Sequence, residues 1–119
     1  MHEPTLIVEK KSRFLAYSKR VTNEGEAMGF IAEISREHKK AKHVVYAYVL
    51  ESTERCSDAG EPRGTAGPGL VAAIKRRGLV GIAVVVVRYF GGILLGKGGL
   101  LRAYGKAAGR SLDELLSNR

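Results

Sequence analysis

Six consecutive apolar residues, at positions 82–87, form the strongest strand signal in this chain of 119 residues. Four of the six are valine, and β-branched side chains favour extended backbone. The run predicts a strand over residues 81–89, and it is far too short to cross a membrane as a helix. A last helix is expected over residues 99–116. The bend between this strand and this helix is rich in glycine, and its glycines are Gly91, Gly92, Gly96, Gly98 and Gly99.

The rest of the chain alternates strand patterns with helical ones. Strands are predicted over residues 5–8, 13–21 and 43–50, helices over residues 23–38 and 69–77, and a long polar loop over residues 52–67. Asn23 and Glu26 form a capping-box pattern at the start of the first helix. The order of elements predicts an α+β fold, a two-layer α/β sandwich in which about four strands form one sheet and the helices pack on one face.

Length and composition are those of one small globular domain, which we expect over residues 1–119. Hydrophobic residues make up 45% and charged residues 27% of the chain, a balance that argues against disorder. The single cysteine, Cys56, cannot form an internal disulfide, and the first residues lack the basic and apolar regions of a signal peptide. We therefore predict a cytoplasmic domain that does not contact membranes.

The net charge of +8 is concentrated in one part of the sequence. Residues 62–112 contain nine basic and no acidic residues, and 11 of the 15 glycines lie between positions 60 and 99. A basic segment without acidic neighbours creates a positive potential that attracts phosphates and other anions. The alternative is that the charge serves only solubility, but solubility does not require that charge and glycine coincide.

The bend resembles a phosphate-binding loop in part. Residues 91–97 match the first seven positions of a Walker A loop, but Gly98 stands where Ser or Thr would ligate Mg²⁺. No later strand is predicted that could supply a second acidic ligand, so we do not expect an NTPase. Backbone N–H groups at a helix N-terminus beside Lys97 and Arg88 still favour an anion. The alternative is that the glycines only permit a tight bend and close packing.

We predict phosphate contacts from Arg88, Lys97, Arg102 and the bend over residues 91–99. Three further cations are expected to steer a polyanion electrostatically, and they are Arg63, Lys75 and Lys106. Tyr46 and Tyr48 share one face of a predicted strand, where they form either a platform for stacking bases or part of the core.

A second dense segment, residues 57–67, contains Asp58, Glu61 and Thr65. Two carboxylates three positions apart can serve a metal or acid–base site, but such groups more often form structural ion pairs. We favour an ion pair of Asp58 or Glu61 with Arg88 or Lys97. Cys56 with His43 as its base lacks any local catalytic signature. We predict no catalytic residue, no metal site and no cofactor.

Three long segments and one dipeptide together identify a family. The segments are SDAGEPRGTAG at 57–67, VVVRYFGG at 85–92 and LGKGGLLRAYG at 95–105, and the dipeptide is Ala47-Tyr48. They resemble the IMPACT family and its YigZ-like "ancient" domain over nearly the whole chain. The residues that carry the resemblance include Asp58, Gly60, Glu61, Thr65, Tyr89 and Tyr104.

The resemblance implies the fold of the second domain of a small-subunit ribosomal protein, with a left-handed βαβ crossover. Bacterial members usually append a ferredoxin-like domain and eukaryotic members prepend an RWD domain, so we expect this chain to be the ancient domain alone. Two positions depart from the family pattern. Ala59 stands where the family usually has an acidic residue, which weakens the case for a metal site. Leu94 stands where the family usually has lysine, and Lys97 stands where it commonly has a small residue.

For function, the resemblance implies translation control. Eukaryotic members bind the co-activator of the kinase that senses uncharged tRNA, and bacterial members look like nucleic-acid or ribosome binders. We predict a non-enzymatic module that binds RNA or a ribosome-associated protein through its basic, glycine-rich surface. One alternative is an enzyme that acts on a phosphorylated small molecule with Asp58 or Glu61 as its acid–base group. The other is a pure protein-interaction domain, and the oligomeric state is left open.

Overall fold

The computed structural model describes residues 3–117, which form one five-stranded sheet and three helices. The strands are β1 (Thr5–Glu9), β2 (Ser12–Arg20), β3 (His43–Val49), β4 (Glu54–Ser57) and β5 (Ile82–Tyr89), and the helices are α1 (Glu24–Glu37), α2 (Gly67–Arg76) and α3 (Gly96–Ser117).

Local sequence signals explain most of these elements. Asn23 caps α1 by accepting a hydrogen bond from the Glu26 backbone at 2.8 Å, and the Glu26 carboxylate accepts one in return from the Thr22 backbone at 2.6 Å. The strand β4 lies inside the segment that the sequence predicts as a loop. Its first three residues are exposed at the edge of the sheet, so no alternation of apolar residues signals a strand.

The strand order in the sheet is β1-β2-β5-β3-β4, and every neighbouring pair is antiparallel. The apolar run therefore lies in the centre, where all residues of β5 from Ile82 to Arg88 are buried. Its consecutive valines face both sides of the sheet, so both faces need a cover.

The two faces are covered by different helices. On one face α2 and α3 pack against alternate residues of β5 such as Val84 and Val86. On the other face α1 packs through Ile34 against Val85 and Val87. The mixed α/β fold is confirmed, with two differences from the prediction: the sheet has a fifth strand, and α1 lies on the opposite face from α2 and α3. A single helical layer would leave one apolar face of β5 in water.

The chain connections confirm a left-handed crossover. Strands β2 and β3 are parallel because each is antiparallel to β5 between them, and α1 connects them. Strands β4 and β5 are parallel with β3 between them, and α2 connects them. The connection through α2 differs from the connection through α1 in three respects. It crosses the strand order in the opposite direction, it joins strands that run the opposite way, and it lies on the opposite face of the sheet. The two connections therefore have opposite hands, and one is the rare left-handed form.

The register of the strands brings distant segments to one end of the sheet. Arg88 at the end of β5 pairs with His43 at the start of β3, and Tyr89 pairs with Arg13 at the start of β2. The turn between β1 and β2, the loop after β4 and the start of α3 adjoin the same strand ends. We call this part of the molecule the site end.

Candidate functional site

A buried ion pair lies at the centre of the site end. Arg88 Nη1 donates hydrogen bonds to both carboxylate oxygens of Glu61, at 3.0 and 2.8 Å. Arg88 is 5% exposed and Glu61 is 7% exposed. The sequence prediction of a structural pair between one of two carboxylates and one of two cations is thus confirmed for this combination. The pair ties the loop after β4 to the central strand.

Two further side chains lie against Glu61, and one of them donates a hydrogen bond to it. The Tyr104 hydroxyl of α3 donates to Glu61 Oε2 at 2.5 Å, and burial together with this bond raises the pKa of Tyr104 far above its ordinary value. His43 Nδ1 lies 2.7 Å from the carbonyl oxygen of Ala59, which can only accept, so this nitrogen carries a proton. His43 Nε2 faces Glu61 Oε1 at 3.5 Å. Hydrogen bonds from β5 and α3 therefore hold Glu61, and His43 of β3 lies beside it.

The turn between β1 and β2 is joined to the same cluster through Ser12. Its hydroxyl oxygen lies 3.3 Å from Arg88 Nε, 3.2 Å from Arg88 Nη2 and 3.2 Å from the backbone nitrogen of Gly91, all of which donate. Gly91 is packed so closely that a Cβ atom there would overlap the Lys11 carbonyl group. Glycine is therefore required at this position for packing, as the alternative interpretation of the bend proposes.

Asp58 organises the loop after β4. Its carboxylate accepts hydrogen bonds from the backbone N–H groups of Gly64, Ala66 and Gly67, at 2.8, 3.0 and 2.9 Å. Burial by itself raises the pKa of this carboxyl group, but the three backbone bonds and nearby Arg63 outweigh burial and hold the pKa below its usual range. Asp58 thus serves as a loop anchor. Ala59 and Gly60 turn the chain beside it with positive φ angles of 48° and 87°.

The other residues that carry the family resemblance also have structural contacts. The Thr65 hydroxyl bonds to the Pro62 carbonyl oxygen at 2.5 Å. His38, which follows α1, lies between two phenols, with its Nδ1 at 2.6 Å from Tyr89 OH and its Nε2 at 2.6 Å from Tyr17 OH. These two bonds fasten the C-terminal end of α1 to the sheet.

A pocket of about 290 Å³ opens above the buried pair. Its polar floor contains His43, Glu61 and Arg88. Its walls include two exposed apolar side chains, Phe90 at 46% and Leu94 at 81% of their full accessibility. The remaining lining residues are Lys42, Gly60 and Pro62. We call this cavity the Phe90 pocket.

The structure corrects the role predicted for three cations. Arg88 is buried and bonded to Glu61 and Ser12, so it is not a free surface cation. The Nζ atom of Lys75 lies 2.5 Å from Oε1 of Glu54, and the Nζ atom of Lys106 lies 3.4 Å from Oε1 of Glu9. The carboxylates that pair with these three cations all precede residues 62–112, the segment without acidic residues. Folding brings them against this segment.

Lys97, Arg102 and Arg63 remain exposed at the site end. Within residues 3–117, no carboxylate lies within salt-bridge distance of Lys97 or Arg102. The Arg102 guanidinium extends back over the first turn of α3. Its Nη1 lies so near Gly98 that a Cβ atom added to this glycine would be 3.3 Å away. The bend is shorter than predicted: Gly91 and Gly92 belong to it, whereas Gly96, Gly98 and Gly99 lie in the first turn of α3.

Sequence reasoning missed six exposed cations at the same end, all from the half of the chain whose net charge is zero. They lie in or after the β1–β2 turn and between α1 and β3, and they are Lys10, Lys11, Arg13, Lys39, Lys40 and Lys42. The strand order would reveal them, since their segments adjoin the strand ends that carry Arg88 and Tyr89. With Arg63, Lys97 and Arg102 they form what we call the cationic surface, nine exposed side chains in all.

Several carboxylates of the N-terminal half lie at the other end of the sheet. They are found at the start of α1, in the β3–β4 turn and at the start of β4, and they are Glu24, Glu26, Glu51 and Glu54. At the site end, Glu9 is paired with Lys106, Asp58 is bonded inside the loop, and Glu61 is bonded to Arg88. Glu37, the last residue of α1, is exposed at this end near Lys39. The molecule is therefore polarised along the strand direction, with its positive potential at the site end.

Other predicted candidates take structural positions. Tyr48 is 1% exposed beneath α1 and donates to Glu24, so it belongs to the core and not to a stacking platform. Burial, and then the charges of Asp58 and Glu54, raise the pKa of the Cys56 thiol and disfavour a thiolate. Among residues 3–117 no group of three His, Cys, Asp or Glu side chains is placed to hold a metal ion. None of the helices described is long and apolar enough to cross a membrane.

Comparison with known proteins identifies the family. The Impact N-terminal domain matches residues 10–112, which include the Arg88–Glu61 pair and its partners. The chain belongs to the IMPACT family. It is 45% identical over 112 residues to IMPACT family member YvyE of Bacillus subtilis, covering 92% of this chain and 52% of that protein. It is 39% identical over 123 residues to IMPACT family member YigZ of Escherichia coli, covering 98% and 60%.

Two solved structures share this IMPACT fold. A crystal structure described as that of a hypothetical protein matches with a TM-score of 0.86 and 39% identity, over 94% of this chain and 58% of that one. The structure of the two-domain translational regulator Yih1 matches with a TM-score of 0.56 and 23% identity, over 92% and 45%. The chain thus spans between about half and three-fifths of the length of the relatives that it matches.

Proposed function

We propose that this IMPACT chain is a non-enzymatic module of translation control that binds RNA through the cationic surface. The observation that carries the proposal is the convergence of nine exposed Lys and Arg side chains, from four separate segments, at the site end. Such a surface has the sign and the extent that a phosphate backbone requires. Neutralisation of Arg88 by Glu61 does not remove this charge, because none of the nine side chains belongs to that pair.

The bonding of the two candidate acid–base groups supports a binding role over catalysis. Glu61 accepts from Arg88 and Tyr104 on both oxygens, and Asp58 accepts three backbone hydrogen bonds. A general base needs a lone pair that is free to take a proton from a substrate. Both carboxylates are committed to holding the loop, so their lone pairs serve the fold.

Two comparisons support a role in translation. The family membership is one, and the description of the structural neighbour Yih1 as a translational regulator is the other. Translation offers RNA surfaces of high phosphate density, to which a positively polarised domain is attracted at long range. A ribosome-associated protein with an acidic surface is the competing partner for the same cations.

Fluorescence anisotropy with labelled single-stranded poly(U), titrated over a range of salt concentrations, tests the proposal. If about four phosphates are neutralised, log K falls with log salt at a slope near −3. Substitution of Lys97→Gln together with Arg102→Gln makes the slope shallower by about 1.4, because two contacts are lost. The charge-matched control is Lys19→Gln with Arg20→Gln at the far end of β2, and it leaves the slope nearly unchanged.

Absence of binding at low salt contradicts the proposal. Capture of partners from cytosol, with and without ribonuclease, distinguishes the competing role. Partners that are retained after complete RNA digestion, and lost with the Lys97→Gln/Arg102→Gln variant, identify a protein-interaction surface instead.

A further inference from the structure

The Phe90 pocket adjoins the cationic surface but differs from it in chemistry. Lys42, a member of that surface, stands at its rim. The nearby walls are apolar, and Phe90 and Leu94 expose 46% and 81% of their accessible surface. Exposed apolar side chains that line one pocket together, beside charged groups, are typical of a ligand-binding groove. The floor is polar, because it is formed by His43, Glu61 and Arg88.

Resting on the proposed function, we infer that the Phe90 pocket receives one unstacked nucleobase of a single-stranded RNA, stacked on the Phe90 ring. The phosphates that flank this nucleotide lie on Lys42 and the neighbouring cations. A nucleobase has apolar faces and a polar edge, which are the two chemistries that the walls and the floor of the pocket offer. The floor groups already have bonding partners within the protein, so the cations that adjoin the pocket favour a nucleobase with its phosphates over an aliphatic side chain of a protein.

The ring of Phe90 is held in place for stacking. The Arg88 guanidinium carbon lies 5.5 Å from the centre of the Phe90 ring, and it lies 5.5 Å from the centre of the Phe14 ring as well. Arg88 itself is fixed by Glu61 and Ser12. One side of Phe90 is therefore supported by a rigid cation, so little conformational freedom is lost when a base covers the exposed surface of the ring.

Size and strand state restrict what can enter. Ligand pockets usually measure about 300–1,000 Å³, and this pocket lies at the lower limit with about 290 Å³. One base fits such a volume, whereas a paired base cannot enter without leaving its helix. Duplex RNA keeps its bases stacked and offers mainly phosphates and 2′-hydroxyls to a protein. The pocket therefore gives a preference for single strands that the cationic surface alone does not provide.

The test compares Phe90→Ala with Ile93→Ala, a truncation in the same loop of a side chain that is 41% exposed and does not line the pocket. Anisotropy is measured with single-stranded poly(U) and poly(A) and with their poly(A)·poly(U) duplex. Phe90→Ala is expected to weaken single-strand binding about tenfold, the lower part of the range for one stacked base, at an unchanged salt slope. Duplex binding stays unchanged, Ile93→Ala affects neither probe, and Phe90→Tyr retains the wild-type affinity.

The outcomes separate this inference from the function on which it rests. If wild-type protein binds single strands with the expected salt slope and Phe90→Ala binds as tightly, the pocket takes no base and the proposed function stands. An equal loss for single strands and duplex also overturns the pocket assignment, because stacking discriminates between them. If wild-type protein binds no RNA, the proposed function itself fails. Thermal unfolding of each variant establishes that it is folded during the measurement.

Discussion

Arg88 on the central strand and Glu61 in the loop before α2 form an ion pair from which water is almost excluded. Their side chains are 6% and 3% exposed, and the Nη1 nitrogen of Arg88 lies 2.8 Å from Oε2 of Glu61. A buried charge is tolerated only with a partner and further hydrogen bonds, which Ser12 and Tyr104 provide. The pair therefore determines where the loop lies over the sheet.

Removal of one partner of this pair is expected to be costly. Arg88→Met leaves the Glu61 carboxylate buried without its cation, and the free energy of unfolding should fall by about 3–5 kcal/mol. The double variant Arg88→Met/Glu61→Gln should lose at least about 1 kcal/mol less free energy of unfolding than the two single variants lose together. The reason is that its buried amide at position 61 is neutral and needs no cation. Urea denaturation followed by circular dichroism measures all three values.

The exposed pair of Lys75 with Glu54 is the control, since its two side chains are 55% and 45% exposed. Glu54→Gln should change the free energy of unfolding by no more than about 1 kcal/mol. Strictly additive effects at Arg88 and Glu61 would contradict the coupling that the geometry implies.

The sequence predicts the central strand better than it predicts the ion pair or the charged surface. The Ile82–Tyr89 strand is recognisable because a short run of consecutive β-branched residues favours a strand that is buried on both faces. This strand then organises the core. The sequence leaves the ion pair open between two carboxylates and two cations, and it also predicts a phosphate contact for Arg88. Whether Arg88 is exposed could not be decided from sequence, because Ser12, His43 and Tyr104 must first be brought around it.

The cationic surface was missed in part for a similar reason. Charge counted along the chain balances Lys10 and Lys42 against acids such as Glu24 and Glu54, and so assigns no potential to the N-terminal half. In the fold these acids lie at the other end of the sheet, about a strand length away from the two lysines. Strand order decides this separation, and it depends on contacts between residues far apart in the sequence.

The glycines of the chain are expected to respond to alanine in opposite directions. Gly91→Ala places a methyl group against the Lys11 carbonyl, and overpacking of backbone on backbone should lower stability by about 3 kcal/mol. Gly105 lies inside α3, and a Cβ atom there meets no other atom within 4 Å. Gly105→Ala should raise stability by about 1 kcal/mol, the difference in helix propensity.

Thermal and urea unfolding of the two variants measure both effects. Gly91→Ala should also shift the amide resonances of Lys10, Lys11 and Ser12 in heteronuclear NMR spectra, since the β1–β2 turn must move. A Gly91→Ala protein as stable as the wild type, with unshifted turn resonances, contradicts the close packing of the bend.

The anchoring role of Asp58 gives a pH dependence of stability. Its folded-state pKa is lowered below the unfolded value, so the folded protein binds fewer protons at this group. The stabilisation is fully present above the unfolded pKa of about 3.9 and is lost as pH falls through the lower folded pKa. Near pH 7, Asp58→Asn should lose about 1.5–3 kcal/mol, the range for hydrogen bonds to a charged group.

Urea denaturation of wild type and Asp58→Asn, at several pH values from neutral to about 3, measures this dependence. The difference between the two proteins should be constant above about pH 5 and should shrink below about pH 4. Glu51→Gln in the exposed β3–β4 turn is the matched control and should stay within about 0.5 kcal/mol of wild type. A difference for Asp58→Asn that does not change with pH would show that charge does not matter to the anchor.

Leu94 offers a gain-of-function test of the proposed RNA interface. Its side chain is 81% exposed at the mouth of the Phe90 pocket, so a longer polar side chain displaces little packing. Leu94→Lys adds a cation next to Lys42, and the salt slope for poly(U) should become steeper by about 0.7, with tighter binding at low salt. Stability should stay within about 0.5 kcal/mol of wild type, because the site is on the surface.

Val80→Lys adds the same charge at a side chain that is 54% exposed before β5, at the far end of the sheet, and should leave the slope unchanged. Equal effects of the two lysines would mean that poly(U) responds to net charge alone and that the site end has no special part in binding.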